Sequence, residues 1–390
     1  MKKGRLVFAT FILLFGGFTV ARPEEALKIG LITTLSGPGA VLGQQQRNGY
    51  QLGLKNLGGK LGGRAVELIV QDDELKPDVA GSKVRAFIDR DKVDFVVGPI
   101  FSNILNAIAK PATEGGAFLI SSNAGPSSLA GASCNQNLFV TSYQNDQIHA
   151  VLGKYAEDKG FKKLLLIAPN YQAGRDAIEG FKRYYTGQIA DELYVPLNQL
   201  DYSAELSTIA STKPDAIFTF LPGGFGINFV KQFRQAGLGD KLTFLSAFTV
   251  DESTLPAQGE AALGILGGAN WAPNLDNNLN KQFVADYERE FNAIPNTTGA
   301  QSYDAAFLID AALKHTGGAT QDKDALRNAL KNSGFTSVRG DFKFNNNHFP
   351  IQNFYLVKAA KRADGKPETQ IVEKVFSEYG DLYASQCAMK

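Results

Sequence analysis

The chain has 390 residues, and its 40 lysines and arginines against 39 aspartates and glutamates leave a formal net charge of +1. This length exceeds what one hydrophobic core usually fills and suits two domains of ordinary size. A near-neutral charge without a basic block argues against nucleic acid or an anionic lipid surface as a partner.

The N-terminal segment predicts an export signal. Three basic residues lie among the first five positions, and an uncharged apolar run follows over residues 6–20. The run is short for a membrane-spanning helix of about 20 residues, although an uncleaved anchor is the alternative. We therefore expect residues 1–21 to be a signal peptide, cleaved before Arg22, and the mature protein to lie in the periplasm.

Two cysteines, Cys134 and Cys387, are present. In an oxidising compartment two cysteines usually pair, so we expect one disulfide between them. Two unrelated buried thiols are the alternative.

After the signal, short β-rich apolar runs alternate with amphipathic helical stretches, which predicts parallel βαβ units. In chain order, the first series predicts strands at 28–32, 66–70, 93–97 and 118–121, and helices at 41–57, 79–88 and 102–113. These elements predict one doubly wound lobe.

A polar stretch over residues 139–145 interrupts the pattern and is the hinge candidate. A second series follows, with helices at 147–158, 173–185, 227–235, 279–291 and 303–314, strands at 163–168, 216–220 and 243–246, and β-like runs at 342–344 and 354–358. A second lobe of the same class is expected, and the chain must cross between the lobes more than once.

Catalytic and metal motifs are nearly absent from the sequence. His149, His315 and His348 are spread along the chain with no zinc-ligand spacing, and each is expected on the solvated surface. No Gly-x-Ser-x-Gly elbow occurs, and residues 222–226 predict a strand-to-helix turn rather than a phosphate loop. Residues 72–74 are acidic and could hold a cation, but more often such a cluster caps the next segment.

The informative residues follow the predicted strands, where a doubly wound sheet binds ligands. Ser102 lies at the mouth of a predicted helix, whose free amides and dipole favour an anion. Small polar residues at 121–125 end the neighbouring strand. Together they predict a pocket for a carboxylate; the alternatives are a helix cap at Ser102 and a simple turn at 121–125.

Residues 35–38 (Leu-Ser-Gly-Pro) with Gly43, the strand end at 97–99 (Val-Gly-Pro) and Gly-Glu-Ala-Ala-x-Gly at 259–264 resemble the leucine/isoleucine/valine-binding protein family of periplasmic binding proteins. The resemblance covers essentially the whole mature chain. It implies an α/β fold of type I, in which two doubly wound Rossmann-like lobes, joined by three crossovers, close on a solute and present it to a membrane permease.

Within this resemblance, Ser102 matches the serine that holds the ligand's carboxylate. Asn123 falls where the family has a backbone carbonyl ligand, and Gly125 where it has a threonine. The acidic partner of an α-ammonium group should lie near Ala247 or Phe248, but no carboxylate occurs before Asp251. An α-ammonium group would therefore have no evident counter-charge.

Three tyrosines that crowd an aliphatic ligand in the amino-acid binders align with Leu42, Ala173 and Pro222, which predicts a wider pocket. Aromatic side chains nearby could sandwich a flat ring, unless they belong to the core. Residues 123–126, 141–146 and 220–224 are similar to members associated with uptake of aromatic acids. The expected ligand-binding residues are Leu42, Ser102, Asn123, Ala124, Gly125, Tyr143, Tyr171, Ala173, Pro222, Ala247, Phe248 and Tyr303.

The sequence thus predicts the periplasmic solute-binding component of an ABC importer, a monomer that captures a small organic carboxylate between two closing lobes. The expected ligand is an aromatic acid, either benzoate-like or phenylpropanoid-like. We expect lobe 1 to comprise residues 22–143 plus 272–337, and lobe 2 residues 144–271 plus 338–390. No catalysis, cofactor or metal is expected. An amino-acid binder of the same family is the main alternative; a ligand-sensing receptor domain and an exported hydrolase are less favoured.

Overall fold

A computed structural model describes residues 25–239 and 241–389. It is a mixed α/β protein with two sheets, each covered by helices. The predicted signal peptide, residues 1–21, lies outside the described residues. Within the described part, no helix combines the length and apolar character needed to cross a membrane.

The first sheet has the strand order β2-β3-β1-β4-β5-β6. Its neighbouring strands are parallel except for the β2–β3 hairpin. The strands are β1 Leu27–Thr33, β2 Lys60–Leu61, β3 Arg64–Asp72, β4 Phe95–Val97, β5 Phe118–Ser121 and β6 Leu138–Val140. Every residue of β4, β5 and β6 is buried, as expected for parallel strands with helices on both faces.

The second sheet has the order β12-β13-β11-β10-β9-β7-β8, with β14 paired to β13. Strands β7 to β11 are parallel, and β12, β13 and β14 add an antiparallel edge. The strands are β7 Lys163–Pro169, β8 Gln188–Val195, β9 Ala216–Thr219, β10 Thr243–Ser246, β11 Leu266–Ala269, β12 Lys343–Phe344, β13 Pro350–Lys361 and β14 Pro367–Tyr379.

Helices connect the strands and cover both sheets. They are α1 Ala40–Asn56, α2 Pro77–Ala86, α3 Ser102–Glu114, α4 Ser127–Ala130, α5 Asn145–Asp158, α6 Gln172–Lys182, α7 Ser203–Thr212, α8 Gly224–Gln235, α9 Leu255–Gln258, α10 Asn278–Phe291, α11 Thr297–His315 and α12 Lys323–Lys331. Although α11 and α12 come late in the chain, they share a hydrophobic core with helix α1 and with strand β1 of the first sheet. Helix α5 packs on β11 and β13 of the second sheet.

In the described part, the chain therefore crosses between the sheets three times. Residues 141–144 link β6 to α5, residues 270–277 link β11 to α10, and residues 332–342 link α12 to β12. All three crossings meet at the buried carbonyl oxygen of Ser142. It accepts hydrogen bonds from Asn270 Nδ2 at 3.1 Å, Arg339 Nη1 at 3.0 Å and Gln352 Nε2 at 2.6 Å.

The fold class is as predicted, and the predicted strands and helices are present with ends that shift by a few residues. The helix expected from residue 303 begins earlier, at Thr297, and the strand expected from residue 93 begins at Phe95. The stretch at 139–145 is not merely a polar pause, because it contains part of β6. Strands β2, β6, β8, β11 and β14 and helices α4, α7, α9 and α12 were not predicted.

The acidic residues 72–74 hold the turn after β3, as one of the two predictions states. Asp72 accepts hydrogen bonds from the backbone N–H groups of Leu35 and Glu74, and Asp73 accepts from Thr34 Oγ1 and the Leu75 N–H. The carboxylates of Asp72 and Asp73 therefore cap backbone N–H groups of this turn.

The prediction that all three histidines lie on the surface is confirmed for His315 and wrong for His348. The His348 ring stacks on Phe139 with centroids 4.0 Å apart, and its Nδ1 hydrogen-bonds the Leu138 carbonyl at 3.1 Å. Burial lowers the pKa of His348 to about 4. This histidine is therefore a neutral core residue that joins the turn between β12 and β13 to β6.

The predicted disulfide is confirmed, because Cys134 and Cys387 are bonded with an S–S distance of 2.06 Å. Cys134 precedes β6 of the first sheet, whereas Cys387 follows β14 of the second. The bond therefore fastens the C-terminal tail of one lobe to the other lobe.

Replacement of Cys387 by serine (Cys387→Ser) should lower the free energy of unfolding by about 2–5 kcal/mol, because it frees the unfolded chain from a long covalent loop. Denaturant titration under non-reducing conditions measures the change. The double variant that also carries Cys134→Ser is the control and should match the single variant. A loss below about 1 kcal/mol would show that the tail is held by its other contacts.

Candidate functional site

A cavity lies between the two lobes, where α3 and α5 begin and where β5 and β10 end. Its empty space, including the opening to solvent, is about 440 Å³. The position agrees with the rule that doubly wound sheets bind ligands beyond the carboxyl ends of their strands.

The first turn of α3 forms one end of the cavity. Phe101 is the N-cap residue, so Ser102 is the first helical residue and makes no capping bond, which rules out the alternative of a helix cap at Ser102. The first N–H groups of a helix have no partner inside it and attract negative charge. Ser102, which is 2% exposed, adds a hydroxyl to these donors.

The amide of Asn145, at the start of α5, determines which way the Ser102 hydroxyl acts. Asn145 Nδ2 donates to Ser102 Oγ at 3.1 Å. A hydroxyl that accepts this bond keeps its own hydrogen for another acceptor. Ser102 is therefore set up as a donor toward an anion in the cavity.

Asn145 also connects the two lobes. Its Nδ2 donates to Asp176 Oδ2 at 2.8 Å, and its Oδ1 accepts from the backbone N–H of Gly125 at 3.1 Å. Asp176, on α6, in turn accepts from the hydroxyl of Ser127 on α4 at 2.7 Å. The polar end of the cavity is thus held by a continuous network across the cleft.

Aromatic rings form the remaining walls. Tyr143 and Phe248 stack with centroids 5.5 Å apart and planes inclined by 22°, while Tyr171 and Phe220 lie 6.4 Å apart at 16°. Two rings that sandwich a third must be about 7 Å apart, twice the carbon–carbon contact distance. A flat ligand between Tyr143 and Phe248 therefore requires these two rings to separate.

The backbone at Phe248 supports a functional role for this wall. Its φ of 59° lies in the left-handed region, which a bulky side chain rarely adopts. Such strain persists where the surrounding structure imposes it, and it concentrates at ligand sites. In this conformation the Phe248 ring faces Tyr143 across the cavity.

None of the cavity-lining residues is Asp, Glu, Lys or Arg. The two carboxylates nearest in sequence to Phe248 have other partners: Asp251 accepts from Asn296 Nδ2 and Ser253, and Glu252 accepts from Thr369. Burial raises the pKa of Asp251, and it raises the pKa of Glu252 to about 8. An ammonium group in the cavity would therefore have no carboxylate partner in the lining.

His149 lines the cavity one turn after Asn145, so the prediction of a surface histidine is wrong here too. The side chain is 1% exposed and packs edge-on against Phe218 and Phe220, with centroids 5.6 and 4.9 Å away. Burial lowers the pKa of His149 to about 3, so the imidazole is neutral near pH 7. Its Nδ1 has no hydrogen-bond partner among the described residues.

Residues 26–366 match the family model described as "Periplasmic binding protein". The chain belongs to the periplasmic binding protein family. A curated relative, Leu/Ile/Val-binding protein homolog 6 of Brucella melitensis, is 29% identical over 96% of this chain and 98% of its own length.

Two solved members of the family resemble the chain over nearly its whole length. A solute-binding protein of an ABC transporter from R. palustris, in complex with benzoate, is 32% identical with a TM-score of 0.88, covering 94% of this chain and 100% of that one. Its counterpart from Rhodopseudomonas palustris BisB5, in complex with 3,4-dihydroxybenzoic acid, is 30% identical with a TM-score of 0.85, covering 92% and 99%.

Nine of the twelve residues expected at the ligand site of this periplasmic binding protein line the cavity. They are Leu42, Ser102, Asn123, Ala124, Tyr143, Tyr171, Ala173, Pro222 and Phe248. Pro222 belongs to the predicted strand-to-helix turn between β9 and α8, in which Gly223 has a φ of 66°. Predicted site residues that lie far apart in the sequence therefore line one cavity.

The other three expected residues lie outside the lining. The Tyr303 ring packs on Phe283 and Phe307, and its hydroxyl accepts from Asn56, because it lies on the face of α11 that packs on α1 and α10. Ala247 is buried at the end of β10. Gly125 lies behind the wall, where a Cβ atom would come within 1.9 Å of the Tyr143 carbonyl oxygen.

Sequence reasoning missed Ile100, Phe101, Asn145, His149, Phe220 and Thr298, all of which line the cavity. One signal was present: Asn145 and His149 are four residues apart at the start of a helix that follows the hinge, so they share a face. Nothing in the sequence indicated that this face turns toward Ser102.

Asn145→Ala should lower the free energy of unfolding by about 1–3 kcal/mol, since it leaves the buried Gly125 N–H and Ser102 hydroxyl without a partner. Urea unfolding followed by circular dichroism measures the loss. Asn106→Ala, at an exposed position of α3, is the matched control and should stay within about 0.5 kcal/mol of the parent protein. Equal stability of the two variants would mean that the network across the cleft is unimportant.

Proposed function

We propose that this protein is the extracytoplasmic solute-binding component of an ABC importer and that it captures an aromatic carboxylate between its lobes, without catalysis. One observation carries the proposal: the cavity combines an anion-binding helix terminus at Ser102 with aromatic walls and no charged side chain. A carboxylate fits the donors at one end, and the aromatic side chains offer flat apolar faces on which a ring can stack.

The relatives support the same ligand class. Benzoate and 3,4-dihydroxybenzoic acid are the ligands of the two solved proteins to which this chain is similar. The curated relative is instead named after leucine, isoleucine and valine, which keeps the amino-acid alternative open. The cavity argues against that alternative, because a buried ammonium without a carboxylate partner costs several kcal/mol.

The remaining parts of the proposal concern export, the membrane partner and the division of the chain into two lobes. Residues 1–21 would direct export to the periplasm, where the mature monomer would deliver its ligand to a membrane permease. The two halves of the clamp would be residues 22–143 with 272–337 and residues 144–271 with 338–390. The three crossings at residues 141–144, 270–277 and 332–342 support this division.

Ser102→Ala should weaken benzoate binding by about 1.5–3 kcal/mol, the range for a hydrogen bond to a charged group, without unfolding the protein. Isothermal titration calorimetry measures the affinity. Ser128→Ala is the control, because Ser128 is an exposed serine on α4 that does not line the cavity. Unchanged affinity in Ser102→Ala would show that the backbone N–H groups of α3, and not the Ser102 hydroxyl, bind the carboxylate.

A panel of ligands tests the class itself. At least one aromatic carboxylate, benzoate-like or phenylpropanoid-like, should bind at least tenfold more tightly than leucine, a gap of about 1.4 kcal/mol. Thermal-shift screening followed by calorimetry on the mature protein provides the comparison. Tight binding of leucine or valine, with no heat from any aromatic acid, would contradict the proposal and implicate Asp251 or Glu252 as a counter-charge.

A further inference from the structure

The side chain of His149 lines the cavity, and its Nδ1 is a buried polar atom without a hydrogen-bond partner among the described residues. Buried polar groups are nearly always hydrogen-bonded, and leaving one unpaired costs about 1–3 kcal/mol. A bound ligand that supplies the missing hydrogen-bond partner would remove this cost. The edge-on contacts with Phe218 and Phe220 hold the imidazole ring in place, so its polar edge has a fixed direction.

The position of His149 relative to the anion-binding end follows from the helix. Asn145 and His149 are four residues apart on α5, so their side chains lie one turn apart on one face, about 5–6 Å between Cβ atoms. Helical side chains lean toward the N-terminus of their helix, which here is the end with Asn145 and Ser102. This distance between the two Cβ atoms is comparable to the distance between two substituent atoms at opposite positions of a benzene ring.

We propose that His149 determines specificity by hydrogen-bonding a hydroxyl group on the ring of the bound aromatic acid, so that the protein selects hydroxybenzoates over benzoate. The inference rests on the proposed function and narrows its ligand class. A phenolic hydroxyl can donate or accept, so it complements a neutral imidazole in either tautomer. An unsubstituted ring leaves the imidazole unpaired.

Calorimetry on the mature protein with benzoate, 3-hydroxybenzoate and 4-hydroxybenzoate tests this inference. The parent protein should bind one hydroxybenzoate at least tenfold more tightly than benzoate. In His149→Leu, which keeps the apolar contacts but has no hydrogen-bonding group, this ratio should fall below about threefold.

His149→Gln is the second variant, because its amide still offers a donor and an acceptor and should retain part of the preference. Thermal unfolding of each variant shows whether it is folded before titration. A parent protein that binds benzoate and both hydroxybenzoates equally overturns the inference, as does a preference that survives in His149→Leu. Failure of all three acids to bind would instead overturn the proposed function, and the role of His149 with it.

Discussion

The carbonyl oxygen of Ser142 is the point on which both lobes depend. Side chains of the other two crossings donate to it, and one of them, Arg339, carries a charge that Asp304 of α11 neutralises in full burial. Breaking a buried pair of this kind costs about 3–5 kcal/mol, so Arg339 is firmly held at this point. The next residue, Tyr143, is a wall of the cavity, and Asn145 orients Ser102. The first crossing and the ligand site therefore share one short segment that contains Ser142, Tyr143 and Asn145. A substitution in this segment would affect both.

The cavity achieves its polarity without charge. Backbone amides at the start of α3, the Ser102 hydroxyl and the amide of Asn145 are all dipoles, and hydrogen bonds within the protein orient the two side chains. Fixed dipoles need no reorganisation when an anion arrives, and they carry a smaller desolvation cost than a buried lysine or arginine. The lobes meet around this end through hydrogen bonds among Asn145, Asp176 and Ser127.

The sequence predicted the parts of this protein that depend on local periodicity. Strands such as β5 are short, fully apolar runs between helices, and this pattern indicates a buried parallel strand. Strands β8 and β14 were not predicted because they are edge strands in which charged residues interrupt the apolar pattern, and β11 was not predicted because two of its four residues are glycines. At the site, Ser102 and the aromatic walls followed from strand ends and from the family resemblance.

The buried roles of His149 and His348 could not be inferred, because the burial of a histidine depends on tertiary packing rather than on its neighbours in sequence. Tyr303 was misplaced for a related reason. Its helix, α11, is buried on nearly all sides, so the pattern gives no preferred face and cannot tell which residues point to the cleft.

A cavity built from uncharged groups has a consequence for how the protein meets its ligand. Charged binding surfaces steer counter-ions from a distance, but that attraction is screened within about 8–10 Å at ordinary ionic strength. Here the net charge is +1 and the lining has no ionised side chain at neutral pH. Under the proposed function, the rate at which the protein captures an anionic solute would therefore depend little on ionic strength.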